Sequence, residues 1–169
     1  MIAVRLADYA RASDARAVVD LLDQYARDPA GGGAALSSSV REQLVAELAR
    51  RPTAFSVLAF DADEAVGLVN CFEGFSTFAC KPLVNVHDVV VKASHRGRRL
   101  AQRMLDAVEA EARRRGACKL TLEVLSANTG ALRAYERQGF EGYRLDPSFG
   151  TEVPRKKKRR CLSTGALWQ

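Results

Sequence analysis

No stretch of this sequence approaches the roughly 20 consecutive apolar residues that a membrane-spanning helix requires. At the N-terminus, Arg5 and Asp8 fall where a secretion signal would have its apolar stretch. The expected location is therefore the cytoplasm, with no membrane partner. Cysteine is sparse: Cys71, Cys80, Cys118 and Cys161 lie far apart and form no C-x-x-C pair. With only His87 and His95 to join them, the thiols are expected to be buried or idle, and no metal is expected. The glycine patterns of dinucleotide-binding folds and of P-loops are both missing, and no segment repeats.

The positive excess is confined to one segment. Formal charge is +6, but the run Arg155-Lys156-Lys157-Lys158-Arg159-Arg160 supplies six positive charges by itself, leaving 20 basic residues against 20 acidic ones elsewhere. A nucleic-acid footprint spreads over a face of the fold, so nucleic acid is not the expected partner. What remains is ordinary for one globular domain of 169 residues: 47% hydrophobic and 27% charged.

Hydrophobic periodicity predicts a short strand over residues 2–6 and a helix capped by Ser13 that runs to about Tyr25, with Val18, Leu22 and Tyr25 inward. Asp28-Pro29 and Gly31-Gly32-Gly33 interrupt it. A second helix is expected from Ser39, paired with Glu42 as a capping box, until Pro52 stops it. Two strands, 55–60 and 65–72, follow as a hairpin over Asp61-Ala62-Asp63. Residues 73–82 are expected to be a loop, 83–91 the strongest strand, and 97–115 a helix ended by Gly116. A strand over 118–125, a short helix from Asn128 or Thr129 to Gln138, and a strand from Phe140 to Leu145 complete the pattern. This order predicts an α/β fold whose mixed sheet carries helices on both faces.

The turn Ser94-His95-Arg96-Gly97-Arg98-Arg99-Leu100-Ala101 lies between the strong strand and the long helix. Free N–H groups and the positive end of the helix converge there, which makes an anion site. Gly97 allows close backbone approach and the arginines add charge.

Residues 85–140 resemble the GNAT superfamily of N-acetyltransferases. The first signature of that family, Arg/Gln-x-x-Gly-x-Gly/Ala, is met here by Arg96 and Ala101, while Arg99 replaces the middle glycine. As a first-turn helical residue, Arg99 is expected to need no positive φ. The second signature, Asn-x-x-Ala-x-x-x-Tyr-x-x-x-Gly-Phe, matches at Asn128, Ala131, Tyr135, Gly139 and Phe140.

The resemblance implies an acyl-CoA N-acyltransferase fold, a mostly antiparallel sheet with a splayed central strand pair, over a single domain spanning 1–169. It implies acetyl-CoA as acyl donor, with no metal. Pantetheine would run along the backbone of Val89, Val90 and Val91, and the pyrophosphate would sit on Arg96, Gly97, Arg98, Arg99, Leu100 and Ala101. Asn128, Ala131 and Tyr135 would face the thiol end, with Tyr135 as the group that meets the departing thiolate.

The acceptor implied is a small-molecule primary amine attacking directly in a ternary complex. An amine titrating near 10.4 must lose a proton first, at about 4.6 kcal/mol at neutral pH. His87 and Asp88 are the candidate bases, and strand alternation sends them to opposite faces, so only one is expected in the cleft. They stand where the diamine-acetyltransferase-like branch has an acidic pair, with His in place of the first acid. The acceptor pocket is expected from residues 25–35 and 75–78.

Many such proteins form homodimers, although no segment here specifies one. The C-terminus is expected to place a strand over 165–169, after a basic loop insertion at about 152–163. Two further readings stand beside this one: a catalytically silent acyl-CoA-binding regulatory module, which Tyr135 argues against and Arg99 leaves open, and a nucleic-acid-associated protein acting through residues 155–160.

Overall fold

Period-two apolar patterns generate a sheet that feeds two separate cores. In the computed structural model, which describes residues 1–28, 31–126, 128–143 and 159–164, β1 (Ile2–Leu6), β2 (Ala54–Asp61), β3 (Glu64–Ser76) and β4 (Lys81–Val91) run antiparallel to one another in that order. Alternate residues of β2 go to opposite faces: Phe55, Val57 and Ala59 to one core, Ala54 and Leu58 to the other. β5 (Leu120–Leu125) joins β4 in parallel, and β7 (Arg159–Thr164) and β6 (Phe140–Tyr143) complete a seven-stranded sheet in the order β1-β2-β3-β4-β5-β7-β6.

Helices cover both faces. α1 (Ala12–Arg27) and α2 (Ser38–Ala49) lay Ala17, Val18, Leu21 and Leu48 on Leu58, Leu68 and Val90. On the other face lie α3 (Leu100–Arg114), through Leu100, Met104, Leu105, Val108 and Ala112, and α4 (Thr129–Arg137), through Leu132 and Tyr135. The i, i+4, i+8 spacing of Leu100, Met104 and Val108 is that of a helix with one apolar face. Met104 packs so closely over β3 that a Cβ on Gly67 would stand 2.8 Å from its sulfur.

The α/β class, the hairpin and the helix order agree with the sequence reading; several boundaries do not. Residues 73–76 and 81–82, expected as loop, extend β3 and β4, because cross-strand pairing satisfies their backbone groups better than a long loop could. α2 is capped by Ser37, whose hydroxyl accepts from the Val40 N–H at 3.3 Å, rather than by Ser39. The strand expected over 165–169 lies outside the described residues; β7 stands at 159–164 and takes in the last two arginines of the basic run.

Ser13 does not cap α1. The start of that helix is fixed instead by Asp14, fully buried, whose carboxylate accepts from the Asp8 N–H at 2.9 Å and from the Arg5 guanidinium at 2.7 Å. Arg5 is the main cause that holds the Asp14 carboxyl down at about 2. A depressed folded-state value means the stabilisation is present above the ordinary 3.8 and is lost as pH falls toward 2. Asp14→Asn should therefore cost about 1.5–3 kcal/mol near neutrality, the worth of charge-assisted hydrogen bonds, and its deficit in Tm should shrink steadily below the ordinary carboxylate range. A pH-independent deficit in thermal melts would refute the assignment.

Candidate active site

β4 and β5 pair over only three rungs, Val84 with Leu120, Asn85 with Thr121 and Val86 with Leu122. Beyond Val86 the two strands part, although β4 continues to Val91 and β5 to Leu125. The Lys92 N–H donates to Val66 of β3 at 3.0 Å, so alternation turns the backbone groups of Val90 toward β3 and those of Val89 and Val91 toward the opening. The Val91 carbonyl accepts from Arg96 Nε at 3.3 Å. A wedge-shaped opening bordered by unpaired strand backbone can receive an extended, amide-bearing ligand.

A 3₁₀ turn (Ala93–His95) leads from β4 into the loop before α3. His95 is buried and held between the Ser94 hydroxyl at 2.8 Å and Asp61 at 3.3 Å, which anchors the turn. Gly97 then takes φ +76° and Arg99 φ +57°, so Arg99 occupies the left-handed region and not the first helical turn. The sequence expectation for it is corrected: the chain must reverse twice between Arg96 and Leu100 to aim α3, and a side chain there costs about 1–2 kcal/mol. The first N–H groups of α3, with no partner inside the helix, point into this turn beside Arg96, Arg98 and Arg99. Arg96 also pairs with Asp28 at 3.9 Å.

On the α1–α2 side of β4 lies a cavity of about 380 Å³ lined by Leu22, Tyr25, Ala26, Gly31, Leu36, Leu44, Leu48, Asn70, Phe72, His87 and Asp88. His87 and Asp88 both open into it, contrary to the expectation that alternation would separate them. The cause is an irregularity in the pairing: Asn70 faces Asp88 and Cys71 faces Val86, so His87 is the extra residue of a β-bulge. His87 meets Phe72 edge to face, with ring centroids 5.4 Å apart. Tyr25 and Ala26, in the last turn of α1, line the cavity together with Gly31 and Phe72, whereas Phe75 and Phe78 are exposed.

Asp88 ends a hydrogen-bond chain that crosses three strands. Asn70 Nδ2 donates to Asp88 Oδ2 at 3.0 Å, and the Ser56 hydroxyl donates to Asn70 Oδ1 at 2.6 Å. With its one proton so used, Ser56 accepts from the Tyr9 hydroxyl at 2.8 Å. Every donor in the chain points toward the carboxylate, and burial, the main influence on the Tyr9 phenol, raises its pKa and keeps it protonated. Ser56 and Asn70 are almost wholly buried, and with Asp88 as a carboxylate this arrangement of their protons satisfies all four groups.

Tyr135 lies on the other side of the sheet, on the buried face of α4, edge to face with Phe140 with ring centroids 5.9 Å apart. Burial pushes its phenol up to about 12, and the nearby Tyr25 adds to the shift. Tyr25, which lines the cavity, is raised by its own burial and then by the charge of Asp88. Asn128 caps α4, its Oδ1 accepting from the Ala131 N–H at 3.1 Å, and Ala131 is partly buried against the core. Cys71 lies in the core, where burial raises its thiol and withholds the thiolate that a nucleophile needs. Among the described residues no group of His, Cys, Asp and Glu could hold a metal ion, and no helix is long and apolar enough to cross a membrane.

Sequence reasoning missed Tyr9, Ser56 and Asn70. A polar residue at position 70, inside the otherwise apolar run of β3, was the available signal. Residues 155–158 lie outside the described residues.

Comparison with known proteins fits this geometry. The family model described as "Acetyltransferase (GNAT) family" matches residues 15–140, whereas no curated protein sequence matches. Among solved structures, yncA from Salmonella typhimurium, determined with its cofactor acetyl-CoA, is 19% identical with a TM-score of 0.73, over 96% of this chain and 92% of that one. An acetyltransferase of the GNAT family from Streptococcus pneumoniae is 19% identical with a TM-score of 0.71, over 96% and 98%. A chain of the NatC complex bound to Gag peptide and CoA is 16% identical with a TM-score of 0.70, over 96% of each chain. At these identities the likeness is one of fold, and the fold is that of the acyl-CoA N-acyltransferases.

Proposed function

The chain belongs to the acetyltransferase (GNAT) family, and on that premise we propose that it moves an acetyl group from acetyl-CoA to a primary amine of a small molecule, by direct attack in a ternary complex. The acting unit is one domain over residues 1–169, placed in the cytoplasm and capable of homodimer formation. The observation that supports this reading most is that His87 and Asp88 open into one cavity against the same β4 whose far edge parts from β5. Acceptor and thioester could thus approach from opposite faces of the sheet.

In this reading the diphosphate sits on the N–H groups of Arg96, Gly97, Arg98, Arg99, Leu100 and Ala101, and the pantetheine follows Val89, Val90 and Val91. Asn128 and Ala131, at the start of α4, border the thiol end. Asp88 holds the incoming ammonium. His87, exposed at the cavity mouth, takes its proton toward water; an imidazole is a suitable class of base near neutral pH. The amine nitrogen then attacks the carbonyl carbon, the C–N bond forms, the C–S bond breaks to release the thiolate, and the second proton of the nitrogen leaves through His87 to water or is taken up by the thiolate. His87 and Asp88 stand where the diamine-acetyltransferase-like branch has an acidic pair, and of the two only Asp88 keeps the acid.

Tyr135 assists that departure as a hydrogen-bond donor. Its phenol, at about 12, is a far weaker acid than a thiol near 8.5, so full proton transfer to the thiolate would cost about 5 kcal/mol. A donated hydrogen bond carries no such cost. The general test is an acceptor screen: free thiol should accumulate with acetyl-CoA only when an amine is supplied, and acetyl-CoA should raise Tm. No thiol release with any amine would leave the catalytically silent reading in its place.

Arg99 gives a second, independent check. Arg99→Gly should raise the Tm of the free protein by roughly 2–4 °C, from about 1 kcal/mol of relieved backbone strain. Arg99→Ala keeps the Cβ and should give no such gain. Both variants lose one positive charge beside the diphosphate and should bind acetyl-CoA severalfold more weakly in calorimetric titrations. Equal melting temperatures for the two variants would refute the strain argument.

A further inference from the structure

We infer that the acceptor is a monoamine with a compact apolar body, such as an aralkylamine or a branched alkylamine, and not a polyamine, an amino acid or an aminoglycoside; this rests on the acetyl-transfer reading above. The cavity of about 380 Å³ is walled by Leu22, Ala26, Leu36, Leu44, Leu48 and Phe72. Leu48 and Asn70 are its deeply buried lining residues. Asp88 is the only carboxylate among the described lining residues, and one of its oxygens is already held by Asn70.

One anion balances one ammonium. A second ammonium on the same molecule would lie against leucines without a counter-ion, which is among the costliest arrangements in a protein interior. The acids nearest the cavity do not relieve this. Asp23 is engaged by the Leu36 N–H and by Arg27 and Arg41, and Asp28 pairs with Arg96. An amino acid would bring its own carboxylate toward Asp88. A sugar would bring a ring of hydroxyls to a cavity whose polar side chains are Tyr25, Asn70, His87 and Asp88, and Asn70 already spends its carbonyl and one amide N–H in the chain to Asp88. An apolar body gains from the same walls, each well-packed methylene being worth about tenfold in kcat/KM.

The experiment compares phenethylamine, isoamylamine, putrescine, spermidine and an aminoglycoside by release of CoA from acetyl-CoA, with the full chain. The inference expects kcat/KM for phenethylamine or isoamylamine at least about 30-fold above that for either polyamine. Leu44→Glu, which adds a carboxylate to the partly exposed wall on α2, should shift the ratio toward putrescine by about tenfold or more; a retained Tm rise with acetyl-CoA shows that this variant is folded. Leu44→Ala, a milder change, should lower kcat/KM for phenethylamine and leave that for methylamine alone. Polyamines or the aminoglycoside accepted as well as the aralkylamine would overturn this inference and leave the acetyl-transfer reading standing. Thiol release with none of the amines would overturn both.

Discussion

Asp88→Asn is expected to lower kcat/KM for the amine about 10²–10³-fold while acetyl-CoA still raises Tm as it does in the parent protein. The size follows from losing the one carboxylate among the described cavity residues, an interaction with the ammonium whose removal commonly costs 2–5 kcal/mol or more, and from the proton chemistry it supports. Asparagine is nearly isosteric, so folding should survive. Its carbonyl oxygen can still accept from Nδ2 of Asn70, so the hydrogen-bond chain survives while the charge is lost. Changes farther along the chain should fall off in order: Asn70→Ala by about tenfold, Tyr9→Phe by less, because each leaves the carboxylate in place but loosens its orientation. Steady-state CoA release across an amine series measures all three; an Asp88→Asn rate within threefold of the parent would remove the residue from its role.

Tyr135→Phe should lower kcat by about 10–100-fold with little change in KM for either substrate, the worth of one hydrogen bond to a developing negative charge. The phenol's elevation to about 12 sharpens this. A donor that stays protonated across the usable range gives no titration of its own in the rate profile, so the fold-loss in the variant should be constant from neutral pH up to about 9. A proton-transferring acid would instead show a loss that changes with pH. Because Tyr135 also packs against Phe140 and Leu132 lies on the same helix, phenylalanine keeps the ring contact, and an unchanged melting temperature would separate chemistry from packing.

The fold class was legible in the sequence because it depends on patterns that local physics enforces: period two in residues 83–91, a one-sided helix at Leu100, Met104 and Val108, and turn residues at 61–63. The pairing of His87 with Asp88 was not, since a bulge depends on which residue of β3 lies opposite which residue of β4, and nothing within a single strand announces it. The left-handed Arg99 was missed for a related reason: the path from β4 to α3 is set by where that helix packs, and the residue was judged only by its own preferences. Ser13 and Ser39 looked like caps, but Asp14 and Ser37 hold those helix starts, one through an arginine nine residues earlier in the chain.

The three-rung contact between β4 and β5 is a narrow main-chain seam between two blocks that share one side-chain core under α3 and α4. β1 to β4 carry α1, α2 and α3, while β5, β7 and β6 carry α4 and join the first block through little main-chain pairing. Amide protons of β5 should consequently exchange with solvent well before those of β2 and β3, since a small seam opens at lower free energy than a wide one. A donor molecule lodged across the seam would clamp the blocks together, so its arrival should be recorded as slowed deuterium uptake throughout the smaller block and, in the larger one, chiefly at the amides of residues 89–91 and 96–101.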